Sequence, residues 1–453
     1  MGRSEERSSD SRRPQPHQPC GEASARLREI LTANRSSGEG GTYAVCSAHV
    51  AVIEAALRQS LQDGSILHVE STSSQVNQFG GYSGSTPSQF AHFIRSAAEK
   101  LGLPCERILL GGDHLGPFPW RAEPSGPALR KACDLVSDCV AAGYQKIHLD
   151  ASMACADDRT DSLPERLIAE RAALLCQAAE EAYRKLSPGS PPLLYVIGSE
   201  VPAPGGESDA AQAPAVTTAE HANRTLDTFC DAFAGLGLSS AWKRVIALVV
   251  QPGVDFGSHA IFDYDPRKAQ SLAAALSDHA GIVFEAHSTD YQSPQALARM
   301  IRDHFAILKV GPWLTFAYRE AVLALSSMER VLLGTKSERQ VSKVREVLEE
   351  AMLRDPSQWQ AYYHGSEDEV RRDLTYAFSD RCRYYWNRPA VQAELSRLFH
   401  NLAAQSIPLT LVSQYLPVEY EAIRAGALEA IPEQMIQYHI RRVLGVYANA
   451  CRA

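Results

Sequence analysis

Arg107-Ile108-Leu109-Leu110-Gly111-Gly112-Asp113 is a β-prone apolar run that stops at a carboxylate, and the turn after it leads into the helical spacing of Ala128–Ala141. A run apolar on both of its alternating faces reads as a strand buried between two layers, as parallel strands are. The same pattern recurs at Thr42–Ser47, Ile66–Glu70, Lys146–Asp150, Leu193–Glu200, Arg244–Gln251, Ile282–His287 and Ala306–Val310. Helical spacing fills the intervals, for example over Val52–Leu61, Gln89–Leu101 and Arg166–Leu186. Eight strand–helix units in one uninterrupted series predict an α/β protein with a closed (β/α)8 TIM barrel rather than an open sheet. The loops that follow the strands then open on one face, so the polar residues ending the strands converge there.

A barrel of ordinary size leaves a large part of the 453 residues over. The chain therefore divides into a disordered Arg-, Ser- and Pro-rich tail over 1–28, a barrel over 29–333, and a mostly helical extension over 334–453 that packs on the barrel. Apolar residues make up 45% and charged residues 22%, the proportions of a globular protein. A net charge of −8 offers no basic footprint for nucleic acid, and no apolar stretch is long enough to span a membrane. The start lacks the apolar segment of a secretory signal. The ten cysteines are scattered singly with no C-x-x-C pair, the usage expected of reduced thiols in a cytoplasmic protein.

Several strand ends carry chemistry. Asp113 and His114 stand together at the end of the third strand, where an imidazole can bind a divalent metal while the carboxylate moves a proton nearby. The seventh strand supplies Glu285 and His287, which alternation places on one face. Glu200 closes the fifth strand, where a buried carboxylate needs a cation or a donor. Gln251 ends the sixth strand, and His259 lies further out on the loop after it. On the fourth strand His148 reads as barrel filling, with Asp150 and Ser152 nearer the mouth. Two segments suit an anionic substrate. One is the Gly-rich loop with Gln75, Asn77, Gly80 and Gly81, which ends in a Thr86 cap and Pro87; the other is Lys309-Val310-Gly311-Pro312 after the eighth strand.

With these residues laid out, the sequence resembles the GatZ/KbaZ family, the Z-type subunits associated with class II tagatose-1,6-bisphosphate aldolase. The matching stretches are VCSAH (45–49), QVNQFGGYSG (75–84), ILLGGDHLGPFPW (108–120), KIHLDASMACADD (146–158), YVIGSEVPAPGG (195–206), FEAHSTDYQ (284–292), LKVGPW (308–313), SDRCRYYW (379–386) and SQYLP (413–417). The resemblance implies a zinc-dependent (β/α)8 barrel in which Asp113 transfers protons and His114 and His287 bind the metal. Where the catalytic aldolases carry a further ligand histidine, this chain reads Val250-Gln251-Pro252-Gly253, so Glu200, Gln251 or His259 completes a different site or metal binding is weakened. Ser288-Thr289-Asp290 stands where those aldolases place a Gly-rich phosphate turn.

Two functions follow from the resemblance. The chain is itself a metal-dependent enzyme acting on a ketose or ketose phosphate, with C4 epimerisation by retro-aldol and aldol steps. Alternatively it is a non-catalytic accessory subunit that stabilises and activates a separate class II aldolase subunit. A small sugar or sugar phosphate, an oligomeric assembly and a zinc ion are the expected partners. In the extension, Arg381, Arg383 and Tyr384 either contact substrate or serve ordinary packing.

Overall fold

The structure is a computed structural model that describes residues 21–159, 162–201, 213–279, 281–334 and 340–452. The strands are β1 (Thr42–Cys46), β2 (Leu67–Thr72), β3 (Ile108–Leu115), β4 (Lys146–Leu149), β5 (Leu194–Ile197), β6 (Val245–Val250), β7 (Asp255–Phe256), β8 (Ile261–Phe262), β9 (Val283–Ala286) and β10 (Ile307–Val310). Eight of them close a parallel barrel in the order β1-β10-β9-β6-β5-β4-β3-β2, while β7 and β8 form a small antiparallel ribbon beyond β6. The (β/α)8 architecture expected from the strand–helix rhythm is the one found.

Strand alternation sorts the side chains. Leu67 and Val69 on β2, Ile147 and Leu149 on β4, Phe284 and Ala286 on β9, and Leu308 and Val310 on β10 join the outer core under the helices. Their inward neighbours fall into two layers. The lower layer is apolar, with Leu109, Leu194, Val196, Ile246, Val249, Val283 and Ile307. Above it lies a buried polar layer of His68, Glu70, Lys146, His148, Glu285 and Lys309.

Gly111 makes that polar layer possible. Register places Glu70 opposite Gly111 and Gly111 opposite Lys146. A Cβ on Gly111 would come within 2.8 Å of Glu70 Cγ. Without one, the Glu70 carboxylate and the Lys146 ammonium meet across the glycine at 2.6 Å.

The expected tail boundary at residue 28 is too late. A helix over Glu22–Ser37 begins six residues earlier, and its Ala23, Leu27 and Leu31 join the lower apolar layer as a plug at the bottom of the barrel. Spacing of i, i+4, i+8 puts those three on one helical stripe. The polar residues between them hid it in the sequence. Residues 1–20 lie outside the described residues, as do 202–212, part of the chain after the fifth strand.

The extension is helical and shares the barrel's outer core. Its last helix, Pro432–Ala450, packs against the helices Val50–Asp63, Pro294–Arg302 and Pro312–Leu333, burying Ile436, Ile440, Leu444 and Tyr447. The segment 378–384 is pinned over the barrel. Arg319 meets Asp380 at 2.6 Å, the Thr315 hydroxyl donates to the same carboxylate at 2.6 Å, and the Tyr291 hydroxyl donates to the Phe378 carbonyl at 2.6 Å. No helix among the described residues is long and apolar enough to cross a membrane.

Candidate active site

The polar layer opens at the C-terminal mouth of the barrel into a cavity of about 330 Å³. Asp113, His114, His287 and Lys309 form its floor, Gln75, Tyr82 and Asp290 its walls, and Arg121, Arg381, Arg383 and Tyr384 its upper part. Lysine and carboxylate side chains this deep in a barrel are tolerated only when each meets its opposite. Lys146 lies 2.6 Å from Glu70 and 2.7 Å from Glu285. Lys309 pairs with Glu70 and stands 2.9 Å from Asp113 and 3.6 Å from Glu285. Burial alone would raise the Asp113 carboxyl. The charges of His114, Lys309 and His287 and the bond from His148 override it and hold Asp113 well below the usual carboxylate range. Burial likewise works against both ammonium groups, and the carboxylates around them raise their pKa values instead.

Three imidazoles surround Asp113. His114, His148 and His287 have ring centroids 4.8 to 5.3 Å apart. His114 reaches this place with a left-handed backbone, φ 47°, where β3 bends into its loop. That bend lets two adjacent residues serve one site, which strict alternation forbids. His114 Nδ1 is 2.7 Å from Asp150 Oδ2, leaving Nε2 turned toward Asp113 Oδ2 at 3.8 Å. His287 Nε2 lies 3.1 Å from Glu285 Oε1 and 4.0 Å from Asp113 Oδ1. Burial pulls the His287 pKa down to about 4, so the ring is neutral at pH 7. His114 is the opposite case: burial pulls it down, but Asp113 and Asp150 outweigh burial and raise its pKa.

The residues fit a divalent cation. Donor atoms of Asp113, His148, Glu285 and His287 all lie within 4.8 Å of one another. His148 Nε2 is buried and has no hydrogen-bond partner. The four carboxylates of Glu70, Asp113, Asp150 and Glu285 face the two ammonium groups of Lys146 and Lys309, an excess of negative charge that a cation or an imidazolium at His114 offsets. Asp150, on Nδ1 of His114, stands as a carboxylate does behind a ligand imidazole, whereas Glu285 meets His287 through Nε2, the nitrogen that also faces Asp113.

Asp113, His114, His287 and Lys309 are therefore brought together, while several other candidates do not reach the cavity. Gln251 Oε1 accepts the backbone N–H groups of Gly253 and Val254 and caps its own turn. His259 is half exposed and pairs with Asp373 of the extension at 3.1 Å. Glu200 leaves the barrel with the chain after β5 ends. It accepts the Thr217 hydroxyl at 2.6 Å and meets His221 Nδ1 at 2.9 Å.

Asp150 orients His114, and the Ser152 hydroxyl donates to Asp150 at 2.6 Å, so neither lines the cavity. The Gly-rich loop is not an anion cradle. Asn77 Oδ1 accepts the N–H groups of Phe79 and Gly81, the Gly80 N–H donates to the Asn77 carbonyl, and Thr86 and Gln89 form a closed capping box. Gln75 borders the cavity, with its amide held by Thr72 and Cys46.

His148 was expected to fill the barrel and instead bonds Asp113 at 2.9 Å. Sequence reading passed over Lys146 and Glu70 altogether, although a lysine two residues before a histidine in an apolar strand marked the inner face as polar.

Fold and site define a class: a (β/α)8-barrel protein with a buried acid–imidazole centre at its C-terminal mouth. The D-tagatose-1,6-bisphosphate aldolase subunit GatZ/KbaZ-like family matches residues 27–452, and the chain belongs to that family, which places it in carbohydrate metabolism. It is 47% identical over 425 residues to the D-tagatose-1,6-bisphosphate aldolase subunit GatZ of Klebsiella pneumoniae subsp. pneumoniae, covering 94% of this chain and 99% of the relative. The subunit of the same description from Salmonella enteritidis PT4 is 47% identical over 430 residues, with coverage of 94% and 99%. A solved structure described as a probable tagatose 6 phosphate kinase from Sinorhizobium meliloti 1021 superposes with a TM-score of 0.82 at 40% identity, covering 91% of this chain and 100% of the other.

Proposed function

We propose that the chain is an aldolase-type enzyme acting on a ketose phosphate, with C4 epimerisation as its reaction and a divalent metal, zinc, as its cofactor. The observation that carries this reading is Asp113, held ionised at the cavity floor among three imidazoles and one ammonium. Packing alone has no use for so many mutually dependent ionisable groups at a barrel mouth. The description of the relatives as aldolase subunits supports a sugar phosphate substrate and a partner subunit. The accessory-subunit reading has no observation at the site in its favour.

His287 and His148, with Glu285 and with His114 beside them, would hold the metal and leave Asp113 to move the proton. When bound, a divalent cation supplies Lewis acidity toward a substrate carbonyl or hydroxyl. Neither buried lysine suits imine chemistry, because both are kept protonated by neighbouring carboxylates.

C4 of a 2-ketose is not adjacent to the carbonyl, so inversion there needs the C3–C4 bond to break. Asp113 takes the C4 hydroxyl proton as that bond opens to an aldehyde and an enediolate. The aldehyde rotates, the bond re-forms, and Asp113 returns the proton to the new hydroxyl. Lys309, 2.9 Å from Asp113 and bordering the cavity, keeps the carboxylate ionised and offers positive charge to oxygens that become anionic.

Purified protein with added zinc or manganese should interconvert tagatose 6-phosphate and fructose 6-phosphate. Asp113→Asn should abolish turnover while the bound metal, measured on the same sample, is retained. No turnover by the wild type, together with stabilisation of a co-expressed aldolase subunit, would overturn the reading in favour of the accessory role.

A further inference from the structure

The usual anion position of this fold, the helix N-terminus after the last barrel strand, already holds an anion of the chain's own. Asp290 Oδ1 accepts the N–H of Gly311 at 3.0 Å and of Trp313 at 2.8 Å, at the start of helix Pro312–Leu333. The Gly-rich loop after β2 has its amides engaged as well. A substrate phosphate at this mouth must be received elsewhere.

The upper cavity supplies the cations. Arg381, only 3% exposed, borders the cavity, yet its Nε and Nη2 have no hydrogen-bond partner. Its guanidinium stacks on Tyr362 with Cζ 3.1 Å from the ring centroid, and Nη1 reaches the Tyr384 hydroxyl at 3.4 Å. Arg383 stands beside it, donating to the Tyr384 hydroxyl at 2.8 Å and to the Asp380 carbonyl at 3.0 Å. Arg121 faces them from the loop after β3. The cavity's acidic residues, Asp113 and Asp290, are both tied to donors of their own.

A buried guanidinium with an unsatisfied Nε–H and Nη2–H edge carries a desolvation penalty that a bidentate oxyanion removes. The segment that holds it is fixed to the barrel through Arg319, Thr315 and Tyr291, so the edge is positioned before any ligand arrives.

We propose that Arg381, with Arg383 and Arg121, forms an oxyanion subsite that receives the terminal phosphate or carboxylate of the substrate, so that the helical extension selects which sugars enter the barrel. This rests on the proposed sugar-phosphate reading for its natural ligand, but binding can be read without turnover. Tyr362 stacks on the face of the guanidinium, and Tyr384 completes the wall.

Thermal shift and calorimetry with inorganic phosphate on the full chain test it directly, with Arg381→Gln, Arg381→Lys and, as a surface control, Arg267→Gln. Wild type and the control should bind phosphate, Arg381→Gln should lose about 10- to 100-fold in affinity, and Arg381→Lys should recover only part of that. Ketohexose 6-phosphate, the matching uronate and the free ketose then distinguish the source of the anion. Whichever anion depends on Arg381 is the ligand, and its KM should rise in Arg381→Gln while the free ketose is unaffected. Arg383→Gln repeats the test should Arg381→Gln fail to fold. Phosphate binding unchanged in these variants, or no phosphate binding by the wild type with all three sugars held equally, would overturn the subsite. Loss of turnover with phosphate binding intact would strike the proposed reaction alone.

Discussion

Replacing Lys309 with methionine keeps the length of the side chain and removes the ammonium that stands between Glu70, Asp113 and Glu285. Glu70 and Glu285 then share Lys146 alone, and Asp113 keeps only the imidazoles around it, with all three carboxylates buried. Removing one partner of a buried ion pair costs about 3–5 kcal/mol, because the other partner is left uncompensated. At about 1 kcal/mol per degree for 453 residues, that is a melting temperature lower by about 3–5 °C.

The loss must depend on pH. Burial works to raise Glu70, Asp113 and Glu285, but the charges around them hold all three below their ordinary values. Their contribution to stability is therefore present above the unfolded carboxylate range and disappears as pH falls through the folded values. Lys309→Met should be destabilised most at pH 7 and least near pH 4, where its freed carboxylates protonate.

A divalent cation should reverse the loss at pH 7, since a ligand at about 1,000 times its dissociation constant adds about 4 kcal/mol. The variant should bind that cation more tightly than the wild type, having lost a competing charge. Urea denaturation of both proteins at pH 4 and pH 7, in chelator and then in zinc, reads all of this. Equal midpoints in chelator at pH 7 would refute the caged ammonium, and a variant that zinc does not stabilise would refute the cation site.

Two further outcomes follow from the packing. Burial alone would lower the His439 pKa, but the Glu320 carboxylate at 3.2 Å and the Glu419 carboxylate at 2.8 Å raise it to about 9. Its stabilisation, about 3 kcal/mol, is thus complete below pH 6.5 and is lost as pH rises through 9. His439→Gln should accordingly be weaker than wild type at pH 6 and equal to it at pH 10, by denaturation midpoints. Gly116 lies where an added Cβ would fall 1.6 Å from the Asp150 carbonyl, so Gly116→Ala must push β3 from β4. It should cost more than about 3 kcal/mol and reduce metal retention as the His114–Asp150 pair opens, measured by denaturation and metal analysis.

Much of the fold was legible because burial on both faces of parallel strands writes itself as short apolar runs, and Leu109, Leu110, Val249 and Val250 are such positions. The polar ends Asp113, His114 and His287 were legible for the same reason: an ionisable group at the end of a buried strand must face something. Gln251, His259 and Glu200 looked equivalent. A strand end does not reveal whether the next turn carries its side chain over the barrel axis or away from it, and each of these three found a partner outside the cavity.

Local periodicity and the cost of burying polar groups were enough to show the eightfold strand–helix series and to single out the acid and imidazoles of β3 and β9. The tertiary structure alone decided that Lys146, His148 and Glu70 join them and that Arg381 and Arg383 overhang the same cavity. Barrel closure brings strands distant in sequence into register across a glycine, and the buried Arg319–Asp380 pair draws a segment almost 70 residues beyond β10 back over the mouth. Such meetings depend on distance in space, which no single stretch of chain encodes.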